Sequence, residues 1–176
     1  MEVLFVFLGA TAVAFVLIWI RRRSVNRSWP PALRVGLSAM FLMTGITHFV
    51  LLREDLVAMV PPFLPAPELL VTLTGVLELA GAVGLLLKPA AAWAAGGLTA
   101  LMVAMFPANV YAALSDLTVN GETATPLVPR TLMQLLYIAA ALAVVLTYRH
   151  VAWSRSTRDH ASGLEPAGPP PAGGSR

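Results

Sequence analysis

The chain alternates long apolar runs with short polar breaks, and the runs have the length of membrane crossings. Val3 to Ile20 carries no charge and would span about 27 Å as a helix, against a hydrocarbon core of about 30 Å. Arg21, Arg22, Arg23 and Arg27 follow, and Pro30-Pro31 predicts a break before the next run. That run, Leu33 to Leu52, ends at Arg53-Glu54-Asp55, and a third, Leu69 to Leu87, ends at Lys88-Pro89. Between them, Pro61-Pro62-Phe63-Leu64-Pro65-Ala66-Pro67 excludes regular helix, because each proline removes a donor and restricts the residue before it. Ala90 to Leu114 is longer than one crossing needs and contains Pro107, which predicts tilt or a kink. Thr131 to Tyr148 is the fifth run. Ser154 to Arg176, rich in Ser, Gly, Pro and charge, reads as a disordered tail.

The pattern predicts an all-α, polytopic membrane helix bundle: an N-terminal transmembrane helix over residues 1–22, a four-helix membrane domain over 33–148, and a cytoplasmic tail over 154–176. Composition agrees. The chain is 57% hydrophobic and 12% charged, where a soluble domain carries about a quarter of its residues as charges. The lipid bilayer is therefore its first partner, and soluble enzymes, disordered proteins and nucleic-acid binders are poor candidates. The net charge of +3 comes from basic residues beside apolar runs, which sets orientation rather than nucleic-acid affinity. The start bears Glu2 and no Lys or Arg, which predicts a retained anchor over a cleaved signal peptide. With the arginine cluster inside, alternation puts ten basic residues on the cytoplasmic side and only Arg53 and Arg130 outside, hence five spans, N-terminus out and C-terminus in. The absence of cysteine excludes disulfides, thiol redox chemistry, cysteine-ligated iron-sulfur clusters and covalent c-type haem.

Helices in lipid associate through small residues and interhelical hydrogen bonds. Ala92, Gly96, Ala100, Ala104 and Ala108 form a ladder at four-residue spacing, and Gly75, Gly81, Ala82 and Gly84 narrow the third run. Trp93 and Trp153 have the position of interfacial anchors.

Several polar residues stand where lipid would not tolerate them. Glu78 lies ten residues past Glu68, about 15 Å deep, so it must face the bundle, be protonated, or meet water or a partner. His48 lies five residues before Arg53, with Thr44 one turn away; Asn109 and Gln134 lie seven and four residues from Asp116 and Arg130, a similar outer depth of about 6 to 10 Å. These placements predict one ligand-binding polar cluster of His48, Glu78, Asn109 and Gln134 opening toward the outer face, which Tyr111 and Tyr137 would extend. The same residues also suit a plainer role as interhelical hydrogen-bond glue, worth about 1 kcal/mol each. No metal is expected, since His150 and His160 fall on the opposite side.

Four motifs follow in order: Gly45-Ile46-Thr47-His48-Phe49, Met59-Val60-Pro61-Pro62-Phe63-Leu64-Pro65, Gly75-Val76-Leu77-Glu78-Leu79-Ala80-Gly81 and Phe106-Pro107-Ala108-Asn109-Val110-Tyr111. Together, over Leu33 to Tyr148, the chain resembles the DoxX-like family of small bacterial membrane proteins. The resemblance implies a four-helix membrane bundle in the bacterial cytoplasmic membrane, with Val3 to Ile20 an added helix. It marks His48, Pro61, Pro62, Glu78, Pro107 and Asn109 as motif positions without a catalytic role. Members of that family have been linked to a quinone-reducing thiosulfate oxidoreductase, to oxidative-stress complexes and to membrane-protein assembly.

The sequence favours the first of three functions, with the second as the alternative and the third behind it. The first is a non-catalytic subunit or assembly factor that packs against another membrane protein or its own copies, with no cofactor. The second is a redox-linked subunit whose polar layer receives a quinone headgroup. The third is a small-solute pathway.

Overall fold

The computed structural model describes residues 2–22, 24–50, 52–115, 117–119, 121–123 and 125–162. Six helices dominate: α1 (Glu2–Arg22), α2 (Val25–Thr47), α3 (Arg53–Ala58), α4 (Pro67–Leu86), α5 (Ala91–Leu114) and α6 (Leu127–Ser162). A two-residue antiparallel ladder, β1 (Thr118–Val119) with β2 (Glu122–Thr123), joins α5 to α6. Four helical segments, Val3–Arg21, Pro67–Leu86, Ala91–Leu114 and Leu127–Arg149, are long and apolar enough to cross a membrane. They correspond to four of the five apolar runs.

The remaining run, Leu33 to Leu52, departs from expectation. Pro30 and Pro31 do not interrupt the chain, because α2 begins at Val25 and passes through both. Their missing N–H groups would have served the carbonyls of residues 26 and 27, so only the opening turn of the helix loses hydrogen bonds. α2 also differs in its surroundings. It packs against α1, α4 and α6 and buries Ser28, Arg34 and Ser38, with His48 buried at its C-terminal cap. Its polar content is tolerated because it meets neighbouring helices.

Against α4 those side chains form an antiparallel seam. Arg34 donates from Nε to the Leu85 carbonyl at 2.6 Å and from Nη2 to the Leu86 carbonyl at 2.7 Å. One turn on, Ser38 Oγ donates to the Ala82 carbonyl at 2.8 Å. Further along, Gly45 lies against Leu79 and Gly75 against His48. Two of the α4 glycines serve the other neighbour, Gly81 receiving Leu98 and Gly84 receiving Ala94 of α5.

α1 is built into the bundle. Phe7 is buried and meets Tyr137 of α6 edge to face, with ring centroids 5.5 Å apart and planes at 79°. A Cβ on Gly36 of α2 would overlap the Thr11 side chain, whose hydroxyl bonds the Phe7 carbonyl at 2.7 Å. Gly36→Leu should therefore push α1 off α2 and lower stability by about 2 kcal/mol or more. Thermal unfolding in detergent reads the loss.

The buried face of α5 is Ala91, Ala95, Leu98 and Met102. The ladder from Ala92 to Ala108 is not one packed face: Ala92 is buried, but Ala100 and Ala104 are exposed and nothing lies within 4 Å of a Cβ on Gly96. A four-residue step overshoots the 3.6-residue turn by about 40°, so the row winds off the interface. Pro107 lies inside a continuous helix.

Further features bear on the sequence reading. α6 continues to Ser162, past the Ser154 start of the expected tail, while residues 163–176 lie outside the described ones. Trp93 is exposed, as an anchor would be, and the Trp153 side chain lies outside the described residues. The connector after α2 holds the short helix α3, opened by Glu54 and Asp55, before the proline segment. Pro67 then takes the first turn of α4, behind Ala66 at φ 51°.

Candidate functional site

A cavity of ≈ 320 Å³ lies among the helices at the end of the bundle where α1 begins and α2 ends, with Leu56 of α3 and its flanking residues Leu52 and Met59 beside it. His48, Glu78, Asn109 and Gln134 all line it. Tyr111 does not; the tyrosine in the lining is Tyr137. Two residues along a helix turn by about 200°, so a Tyr111 two places from Asn109 looks the other way.

The first wall comes from α2 and α4. α2 ends at Thr47, leaving the carbonyls of its last turn without helical donors. His48, the capping residue, folds back so that Nδ1 lies 2.8 Å from the Thr44 carbonyl oxygen. Glu78 sits on the inner stripe of α4, Val71, Gly75, Glu78, Ala82 and Leu85, a spacing that keeps it inside. Its Oε2 accepts the Thr44 hydroxyl at 2.6 Å and lies 3.9 Å from His48 Nδ1. His48 and Glu78 are 4% and 5% exposed.

The second wall comes from α5 and α6, and here the amides are committed to each other. Asn109 Nδ2 donates to Gln134 Oε1 at 3.1 Å, and Gln134 Nε2 donates to the Met102 carbonyl at 2.7 Å. Arg130 donates to Asn109 Oδ1 at 2.9 Å and to the Thr125 carbonyl at 3.3 Å. This is the glue arrangement, and it leaves little of either amide for a ligand. Removing one member strands its partners: Asn109→Leu and Gln134→Leu should each lose about 1–2 kcal/mol, and the double variant less than their sum. A double-mutant cycle by thermal unfolding checks it.

The rest of the lining is different. Tyr137 belongs to it, and its hydroxyl is buried with no hydrogen-bond partner among the described residues. Met40, Met59, Met102, Met105 and Met133 supply much of the apolar wall, five of the seven methionines in the chain. Thioether chains of this kind adapt to irregular occupants. The sequence reading missed Arg130 and the methionines. The available signal was spacing, since Arg130, Met133, Gln134 and Tyr137 recur at one helical face. Among the described residues, no group of three His, Cys, Asp or Glu could hold a metal ion.

A family model described as a domain of unknown function (DUF8561) matches residues 37–145, well over half of the chain, and the chain belongs to that family. The match covers the cavity walls of α2, α4, α5 and α6 and leaves out α1. No curated protein and no solved structure matches the chain.

Proposed function

We propose that this member of the DUF8561 family is a five-span protein of the bacterial cytoplasmic membrane, N-terminus out and C-terminus in, that binds a quinone-class amphiphile as a non-catalytic subunit of a redox complex. The observation that carries the reading is a methionine-walled cavity lined by the buried Glu78–His48 pair and by Tyr137, whose buried hydroxyl has no partner among the described residues. A buried polar group in a membrane bundle marks a functional site, and an orphaned one asks for a ligand atom. The volume lies at the small end of ligand pockets, enough for a ring head with its tail leaving between helices. The DoxX-like motifs support the same reading, because they include His48 and Glu78. Electron transfer falls to a companion subunit.

Titration of the purified full-length protein in nanodiscs with a short-chain quinone and its quinol tests this. Tyr137→Phe and Glu78→Leu should each weaken binding about ten-fold. Affinity for both redox forms unchanged in both variants would falsify it.

A second reading, a packing subunit or assembly factor without a ligand, is favoured by the open face of α5. Gly96 and Gly97 have nothing beside them, and Ala100 and Ala104 are exposed, so another membrane helix or a second copy can approach closely. The chain has no cysteine, so Ala100→Cys gives a single reporter. Disulfide or bifunctional crosslinks to a partner in native membranes are expected, and a purely monomeric product sinks the reading.

A further inference from the structure

We infer that the head-group end of the cavity is built to accept a hydrogen bond, and so takes a ring amphiphile bearing hydroxyls, a quinol, in preference to the carbonyl-only quinone. The inference rests on the quinone-class reading above and narrows it.

The reasoning starts at His48. A carbonyl oxygen only accepts, so Nδ1, 2.8 Å from the Thr44 carbonyl, carries the ring proton. In the tautomer with the ring proton on Nδ1, Nε2 is the accepting nitrogen. Nε2 has no protein partner among the described residues, while the ring lines the cavity. The nearby cations do not reach it. Arg53 donates to the His48 backbone carbonyl at 3.4 Å and to the Thr72 hydroxyl at 3.1 Å. Arg130, on the far wall, is held by Asn109 and Thr125. Glu78 adds to the accepting character: Thr44 donates to Oε2, and among the described residues no donor reaches the other carboxyl oxygen.

A quinol hydroxyl can donate to Nε2, whereas a quinone carbonyl would set one lone pair against another and leave a buried acceptor unpaired. Tyr137 plays a different part. Its hydroxyl donates or accepts as required, so it adds affinity for either redox form without choosing between them.

The test is anaerobic calorimetric titration of the full-length protein in nanodiscs with three matched probes: a short-chain quinol, its quinone and its dimethyl ether. The quinol should bind about ten-fold more tightly than the other two. His48→Phe keeps a ring against Gly75 but has no acceptor, and should level the three affinities. His48→Gln, which offers a donor as well as an acceptor, serves the same purpose should the phenylalanine variant not fold. Tyr137→Phe should weaken all three probes and preserve the ratio. Equal affinities in the wild type, tighter quinone than quinol, or a ratio that survives at position 48 overturns the inference while leaving the cavity a quinone site. Failure of all three probes to bind overturns the cavity reading and this inference with it.

Discussion

Arg34→Met should lower stability by about 3 kcal/mol, a fall of roughly 6–12 °C in Tm for a chain of this size. Arg34 is 5% exposed and closes the end of α4 by donating to two of its last carbonyls. Those carbonyls belong to the final turn, where no helical N–H remains for them and where the helix dipole favours a cation. The guanidinium also lies 4.7 Å from the centre of the Tyr148 ring, so one side chain ties α2, α4 and α6 together. Methionine fills the volume but strands both acceptors. Lysine restores the charge without the fork, so Arg34→Lys should recover about half of the loss. Thermal unfolding in detergent measures all three proteins. Equal Tm values for arginine, lysine and methionine would mean that water already serves those carbonyls.

The same arginine shows where sequence reading reaches and where it stops. Counted with its neighbours, Arg34 enters the sequence pattern only as one more flanking charge. Its destination on the α4 carbonyls depends on register, which no local pattern reports. The apolar runs of α1, α4, α5 and α6 were legible because lipid imposes length and low charge on each crossing. α2 was blurred because a helix surrounded by other helices escapes that constraint and keeps its serines, arginine and prolines. The short ladder between α5 and α6 did carry a signal, since Asn120-Gly121 stands between its strands in the sequence and Gly121 has φ 77°.

The candidate site was half legible for a related reason. Depth along each span brings His48, Glu78, Asn109 and Gln134 to one end, because rise per residue is fixed. Rotation about each helix decides what they do there. It turns Tyr111 away, admits Tyr137, and lets Asn109 and Gln134 satisfy each other while His48 and Glu78 stay open to the cavity. Methionines drew no attention in the sequence because an apolar side chain in an apolar span is unremarked until the faces are known.

Gly75→Val should disable both the fold and the site, with a loss of about 3 kcal/mol and of any quinol preference. A Cβ on Gly75 would come within 2.6 Å of His48 Cβ and 2.8 Å of Phe49 Cε2. The first of these atoms sits next to the backbone and cannot swing aside, so α2 itself must move from α4. That movement draws His48 away from Glu78 and opens the cavity wall where the head group would sit. Gly97→Val is the matched control, because nothing lies within 4 Å of a Cβ there. Its stability should change by no more than about 0.5 kcal/mol. If α5 docks a partner through that face, the same control should lose the crosslinked partner while keeping its Tm and its ligand affinity. The two glycines thus separate the cavity from the outer face of α5: position 75 changes binding and stability together, and position 97 changes only association.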